Sequence, residues 1–356
     1  MNKLSISKLT SSIISTFMMF NILSLSGCED TKDTTTQDSN LSEELIFISS
    51  EGSFGSTDGS ISVLKNGEKI QSLLNLGNVV QSILVHENML FVAINGNSEI
   101  KRYEITKDGL NQPGITISTN ASEPREMVVF NNKLYFTNWA TNDIKSLNLF
   151  TYVIEDFITL EGLPEDIITD GEFLYASIPN LVKYDPGNGS SVVKIDPSSN
   201  QIIETFEVGR GPQHLIINNN ILWVSRTYYS DNFYETYYAG AKIDLISNEV
   251  TKIEYGLGVV CGGDVMIKDN KIYRTYNGGI AEINENNLEI RSSSRVGDYS
   301  TYSVYSASVL EEKAYFGITS DYVSPDTVYV HNSSGELENY FEVEASPGDF
   351  AKWRSN

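Results

Sequence analysis

The chain has 356 residues, with 25 Lys and Arg against 47 Asp and Glu and a formal net charge of -22. So acidic a protein excludes a nucleic-acid partner, because binding a phosphate backbone needs clustered Lys and Arg. Two cysteines and three histidines disfavour a zinc centre, unless His86 or His214 finds carboxylates in space.

Lys3 and Lys8 precede a mostly apolar, uncharged stretch from Leu9 to Leu25, which runs into Leu25-Ser26-Gly27-Cys28. A basic start, a short apolar run and a small residue before a cysteine read as a lipoprotein signal peptide over residues 1–27. Cleavage then falls before Cys28, whose thiol is acylated. A membrane helix would need about 18 consecutive apolar residues, and Ser11, Ser12, Ser15, Asn21 and Ser24 interrupt this run. Residues 28–43 follow as a lipidated, flexible tether, since Glu29 to Asn40 is rich in Asp, Thr and Ser. With Cys28 carrying lipid, Cys261 has no intrachain partner, and residues 44–356 must hold together by packing as one domain.

That domain is built from a repeat, namely an apolar run, a polar turn, and a second run containing an aromatic. In chain order the pairs are Ser82–Val85 with Leu90–Val92, Glu126–Val129 with Leu134–Phe136, and Asp166–Ile168 with Leu174–Tyr175. His214–Ile217 with Leu222–Val224, Asp264–Ile267 with Ile272–Tyr273, and Ser308–Leu310 with Ala314–Phe316 follow. Turns such as Glu87-Asn88, Asn131-Asn132 and Asp170-Gly171 tolerate left-handed geometry, so each pair is a hairpin. Successive hairpins recur at the interval of one four-stranded propeller blade, about 40 to 50 residues. Two more strands fit between them, as in Val192–Ile195 and Ile202–Phe206 around Asp196-Pro197-Ser198-Ser199-Asn200.

The ends carry complementary halves of one unit. Ser346 to Trp353 matches a first run and stops where its turn should be, while Leu45–Ile48 is a second run without a first. The expected fold is therefore all-β: a seven-bladed β-propeller with four-stranded blades, closed by pairing of its N- and C-terminal strands, which leaves no open edge.

In such a ring the first strand of each blade lines the central channel. Superposing the units puts Ser82, Glu126, Asp166, His214, Asp264, Ser308 and Asp349 at one level near the channel mouth. Four carboxylates round one axis raise one another's pKa. Two readings stay open: they share a Ca2+ or other hard divalent cation, or they cap backbone N–H groups of neighbouring blades. Arg125 and Arg210 lie close by in sequence and offset part of the charge.

The loops between second and third strands face the same end. They concentrate aromatic residues: Trp139 in one blade, Tyr228, Tyr229, Phe233, Tyr234, Tyr237 and Tyr238 in an insertion that follows Arg226, itself a further candidate ligand contact, then Tyr276 and Tyr322, with Tyr302 on an entry segment. An aromatic rim round an acidic mouth suits a ligand with planar faces and hydrogen-bonding edges. No Ser-x-x-Lys, Gly-x-Ser-x-Gly, His-Glu-x-x-His or Gly-x-Gly-x-x-Gly motif signals catalysis. No catalytic residue is assigned, and the expectation is a binding protein rather than an enzyme. Cys261 reads as a small core residue rather than a reactive thiol.

Val193-Lys194-Ile195-Asp196-Pro197-Ser198-Ser199-Asn200-Gln201-Ile202, followed by Val208-Gly209-Arg210-Gly211-Pro212, resembles the YVTN and YncE-like seven-bladed propellers. Glu51-Gly52-Ser53-Phe54-Gly55 with Asp58-Gly59-Ser60-Ile61-Ser62, after a lipobox and an acidic tether, is similar to propeller lipoproteins of the Bacteroidota. Some of these sit on the outer membrane beside TonB-dependent transporters, and one branch captures cobalamin. The resemblance implies a lipid-anchored, cell-surface protein of the outer membrane that captures a bulky nutrient, a corrinoid first among them, and hands it to a TonB-dependent transporter. Alternatives are a metal-dependent lactonase or lyase of the propeller type and a surface adhesion or scaffold module.

Overall fold

A computed structural model describes residues 43–258 and 263–355. The signal peptide, the acylation site Cys28, all of the tether but its last residue, and Cys261 lie outside the described residues. Among those described, no helix is long and apolar enough to cross a membrane.

Seven antiparallel sheets surround one axis. Blade 1 joins the two ends of the chain: Pro347–Arg354 is its inner strand, followed outward by Glu44–Ser50, Ser60–Lys65 and Glu68–Leu73. Blades 2 to 7 then follow in chain order, with inner strands Val80–His86, Pro124–Phe130, Ile167–Thr169, Pro212–Asn218, Val265–Lys268 and Val304–Leu310. Each inner strand neighbours the next, and that of blade 7 returns to that of blade 1. The hairpins and the closing pair stand where the sequence places them.

Blade 6 departs from the expected four strands. Its described sheet stops at three, Val265–Lys268, Lys271–Tyr276 and Gly279–Glu282. The segment beyond forms no fourth ladder strand: Leu288 is buried in the cluster between blades 5 and 6, and the chain is held by the bridges Ile283↔Ile290 and Ile280↔Val296 around a short 3-10 turn, Ser292–Ser294. In blade 2 the outermost place is shared, because Gly109–Leu110 and Ile115–Ser118 both pair with Glu99–Thr106.

Packing is between blades. Seven apolar clusters fill the seven interfaces, from Leu45, Phe47 and Val63 against Val80 and Leu90 between blades 1 and 2 to Ile48 and Phe350 against Tyr315 and Val328 between blades 7 and 1. The cluster between blades 5 and 6, around Trp223, Val265 and Ile272, is among the smallest.

The seam is a continuous antiparallel register from Glu44↔Arg354 to Ser49↔Asp349. At its outer end Glu44 pairs with Lys352 and Arg354, both at 3.0 Å, and Glu311 of blade 7 reaches the same two cations. Trp353 is 6% exposed, packs with the blade 1–2 cluster, and donates its indole N–H to Asn88 Oδ1 at 3.0 Å. Truncating a buried aromatic costs about 3–5 kcal/mol, so Trp353→Ala is expected to lower the unfolding free energy by that amount in urea titrations. Phe54→Ala, at a side chain 98% exposed, is expected to stay within about 0.5 kcal/mol of the parent.

Candidate functional site: the channel mouth and its aromatic end

Register fixes which side chains meet at the axis. Each inner strand has one residue just before the pair formed by Phe350↔Ile48, Ile83↔Val92, Met127↔Phe136, Ile167↔Ala176, Leu215↔Val224, Val265↔Arg274 and Ala307↔Phe316. Those residues are Asp349, Ser82, Glu126, Asp166, His214, Asp264 and Ser306. The blade 7 member is therefore Ser306 and not Ser308, which lies two positions farther along the same strand, opposite Tyr315.

Most members of this ring tie one blade to the next. Asp349 accepts from Ile83 N at 2.8 Å, Asp166 from Leu215 N at 2.6 Å, and Asp264 from Ala307 N at 2.9 Å, in each case on the following blade. Asp349 and Asp166 also accept the N–H of the next residue in their own strand, both at 2.7 Å. Ser82 is turned into the sheet, where its hydroxyl donates to Arg125 O at 2.6 Å, and Ser306 donates to Pro347 O. Hydroxyls one strand out do the same. Thr137 accepts Glu126 N and donates to Glu165 O, and Ser177 accepts Asp166 N and donates to Gln213 O. Innermost strands have no neighbour on the axis side, so these side chains satisfy backbone groups that a wider sheet would pair.

A cavity of about 340 Å³ remains at the axis, lined by Glu126, Asp166, His214, Asp264 and Asp349 together with Glu51 and Glu165. His214 Nε2 stands 3.1 Å from Asp264 Oδ1. Glu165 grips Arg125, with the guanidinium Nε 3.1 and 3.0 Å from its two oxygens. Arg125 also donates to Gln81 and lies over the Trp139 ring, 4.2 Å from its centroid. Tyr305 donates to Glu51. Arg125 and Glu165 occupy the same place in adjacent repeats, so the phase that aligned Glu126 with Asp166 contains the signal for this ion pair; Glu51 and Glu165 were nonetheless missed by sequence reasoning.

Burial and crowding set the protonation of the cavity. Burial, then the charges of Asp349, Asp166 and Glu165, push Glu126 well above the carboxylate range. Burial lifts Asp349 to about 6 against the pull of its two N–H donors, and raises Asp166 and Glu51 as well. Burial alone would lower His214, but Asp264, Asp166, Glu165 and Asp349 outweigh it and raise the imidazole. Among the described residues no three His, Cys, Asp or Glu side chains are placed to hold a metal ion.

The aromatic residues divide into four groups round the mouth. Tyr238, Tyr276 and Tyr302 line a recess of about 280 Å³ between blades 5, 6 and 7. Tyr228 and Tyr237 stack on each other at 5.4 Å across the long hairpin Ile221–Tyr229 and Thr236–Asp244, whose tip carries Phe233 beside Tyr229 and the 88% exposed Tyr234. Trp139 belongs with Arg125, and Tyr322 meets Tyr305 at 6.0 Å.

Arg226 departs from the expected binding role. It is 2% exposed, and its guanidinium donates to Arg210 O at 3.0 Å, Ile253 O at 3.4 Å and Glu254 Oε1 at 2.6 Å. It enters this position because Gly209 has no side chain, and a Cβ there would sit 2.4 Å from Nη2. The group organises blade 5 instead of facing a ligand.

No family model and no curated protein sequence matches the chain. Solved structures share its fold. A candidate 6-phosphogluconolactonase from Bacteroides fragilis gives a TM-score of 0.60 at 15% identity, covering 90% of this chain and 100% of the other. Apo AztD from Citrobacter koseri gives 0.56 at 13% identity over 89% and 99% of the two chains. BamB from Moraxella catarrhalis gives 0.52 at 10% identity over 85% and 89%. At these identities the likeness shows the fold alone.

The shifted pKa values fix a sign for pH dependence. A carboxyl with a raised folded pKa binds its proton more tightly folded than unfolded, so stability falls as pH rises through that window. For Asp349 the window runs from its ordinary 3.8 to about 6. The raised His214 acts in the same sense, since its contribution is present below 6.5 and is lost as pH passes its folded value. The melting temperature is therefore expected to fall between pH 5 and pH 8. Glu126 makes no side-chain hydrogen bond among the described residues, so Glu126→Gln is expected to raise melting at pH 8 and leave it unchanged at pH 5. An equal shift at both values would contradict the like-charge account.

Proposed function

We propose that the protein captures a bulky nutrient at the aromatic end of the ring and passes it to a TonB-dependent outer-membrane transporter. Lipid on Cys28 would hold it at the cell surface. The observation that carries this reading is the concentration of exposed aromatic side chains on loops of one end. Loops entering the inner strand and loops joining the second and third strands share that end, since successive strands run antiparallel. They bear Phe54, Tyr184, Tyr234 and Tyr302, between 81% and 98% exposed, and Tyr302 also lines the tyrosine-rich recess. Exposed apolar surface of this kind on one face marks a binding site for a ligand or a partner.

Capture without bond chemistry also fits the channel, where the Asp carboxylates are engaged with backbone N–H groups. The lactonase reading draws on the fold shared with the Bacteroides fragilis protein, but it lacks a metal-holding cluster among the described residues. In the capture reading the recess and the long hairpin pack against the ligand, while Glu126 and His214 offer polar contacts from below.

A corrinoid is the first ligand to test, beside iron chelates and oligosaccharides, by equilibrium titration of the full chain. One class is expected to bind at micromolar or tighter dissociation constants, and replacing residues 230–235 by a two-residue turn is expected to weaken it at least tenfold. Binding no tighter than about 1 mM to every class, which is worth only about 4 kcal/mol, contradicts the reading.

A further inference from the structure

Six blades place an apolar residue opposite the inner-strand residue that follows the channel ring: Ile48, Val92, Phe136, Ala176, Val224 and Phe316. Blade 6 places Arg274 there, opposite Val265. Arg274 is 1% exposed and reaches toward blade 5, where Nη1 donates to Ala239 O. Its Nε donates to Thr275 O at 3.3 Å, and the Tyr255 hydroxyl lies within hydrogen-bonding reach of the guanidinium. The guanidinium carbon lies 5.1 Å from the Tyr238 ring centroid and 4.9 Å from that of Tyr255.

Four Lys or Arg residues are buried among the described residues, and three have an ionic partner. Lys145 meets Asp143 at 2.8 Å, Arg226 meets Glu254 at 2.6 Å, and Lys268 meets Asp269 at 2.6 Å. Arg274 has no carboxylate at ion-pair distance among the described residues. Burial lowers its pKa, yet a guanidinium stays protonated in a protein. A buried charge without a counter-ion is costly, and an apolar residue of similar volume at such a site is often neutral or stabilising. Two backbone carbonyls take two of its five N–H groups, so donors remain for a carboxylate, which accepts charge-assisted bonds from a guanidinium.

Arg274 lines the recess whose other walls include Tyr238, Tyr276 and Tyr302. We infer that this recess binds the carboxylate of an aromatic or similarly planar organic acid, with Arg274 as its counter-ion and the tyrosine rings against its body. The assignment rests on the capture reading in one respect: it uses the same end of the ring and names the charge class taken there.

The test is calorimetric titration of the full chain in detergent with benzoate, 4-hydroxyphenylacetate and indole-3-acetate, each beside its primary amide. At least one acid is expected to bind ten or more times tighter than its amide. Arg274→Met is expected to abolish that preference while leaving the urea midpoint unchanged or higher. Acids that bind no tighter than their amides overturn the inference, and so does absence of binding by all six compounds. A preference that survives Arg274→Met, or a lowered urea midpoint in that variant, also overturns it, the latter by making the guanidinium structural. A corrinoid, chelate or glycan whose binding is indifferent to Arg274→Met leaves capture standing and removes this inference. Acid selectivity with no binding of that nutrient panel does the reverse.

Discussion

The antiparallel pairing of Glu44–Ser50 with Pro347–Arg354 is the constraint on which the remaining structure depends. Without it the ring has two open edges, and the inner strand of blade 1 has no sheet to line the channel. The pairing brings Asp349 to the axis and lets it cap Ile83 of blade 2, so closing the seam and building the channel are one event. It also covers the apolar faces of blades 7 and 2 that flank blade 1. In a ring whose interfaces are each a modest cluster, cooperativity comes from closure as much as from any one core.

Closure has an electrostatic consequence. Seven inner strands converge on an axis too narrow for further sheet pairing, so side chains supply the missing acceptors, and Asp is the compact way to offer two. Three such residues, with Glu126, Glu165 and Glu51, crowd carboxylates into one cavity where Arg125 and His214 are the opposing charges. Raised pKa values follow from the architecture. The aromatic end is a separate matter, because the fold does not require exposed tyrosines on its loops, nor an arginine where six blades use an apolar side chain.

Much of this was legible in the sequence, for identifiable reasons. Hairpins such as Leu215–Ile217 with Leu222–Val224 show as two short apolar runs across a turn rich in Asn, and the seam shows as two half-units that complete each other. Ser308 is two places off because Ser308–Leu310 reads as a shortened repeat; in blades 2 to 6 the ring residue stands eight positions before the first residue of the second run, as in Ser82 with Leu90 and Asp264 with Ile272, and the same count back from Ala314 reaches Ser306. Spacing alone suggests a fourth strand in blade 6, where Leu288 and Ile290 alternate, but there the chain makes only the single bridges Ile283↔Ile290 and Ile280↔Val296 around the turn at Ser292–Ser294. The burial of Arg226 depends on a gap left by Gly209, and such a vacancy has no sequence pattern. Arg274 did leave a signal, as a charge inside the apolar run Ile272-Tyr273-Arg274.

The central functional claim is that the aromatic end meets a transporter. Site-specific photocrosslinking in native cells tests it directly, with a benzophenone amino acid replacing Phe233 at the hairpin tip or Phe150 on a turn at the opposite end. The account predicts a crosslink to a TonB-dependent transporter from position 233 and none from position 150. Crosslinks to a transporter only from position 150, or to no transporter from either, would contradict it.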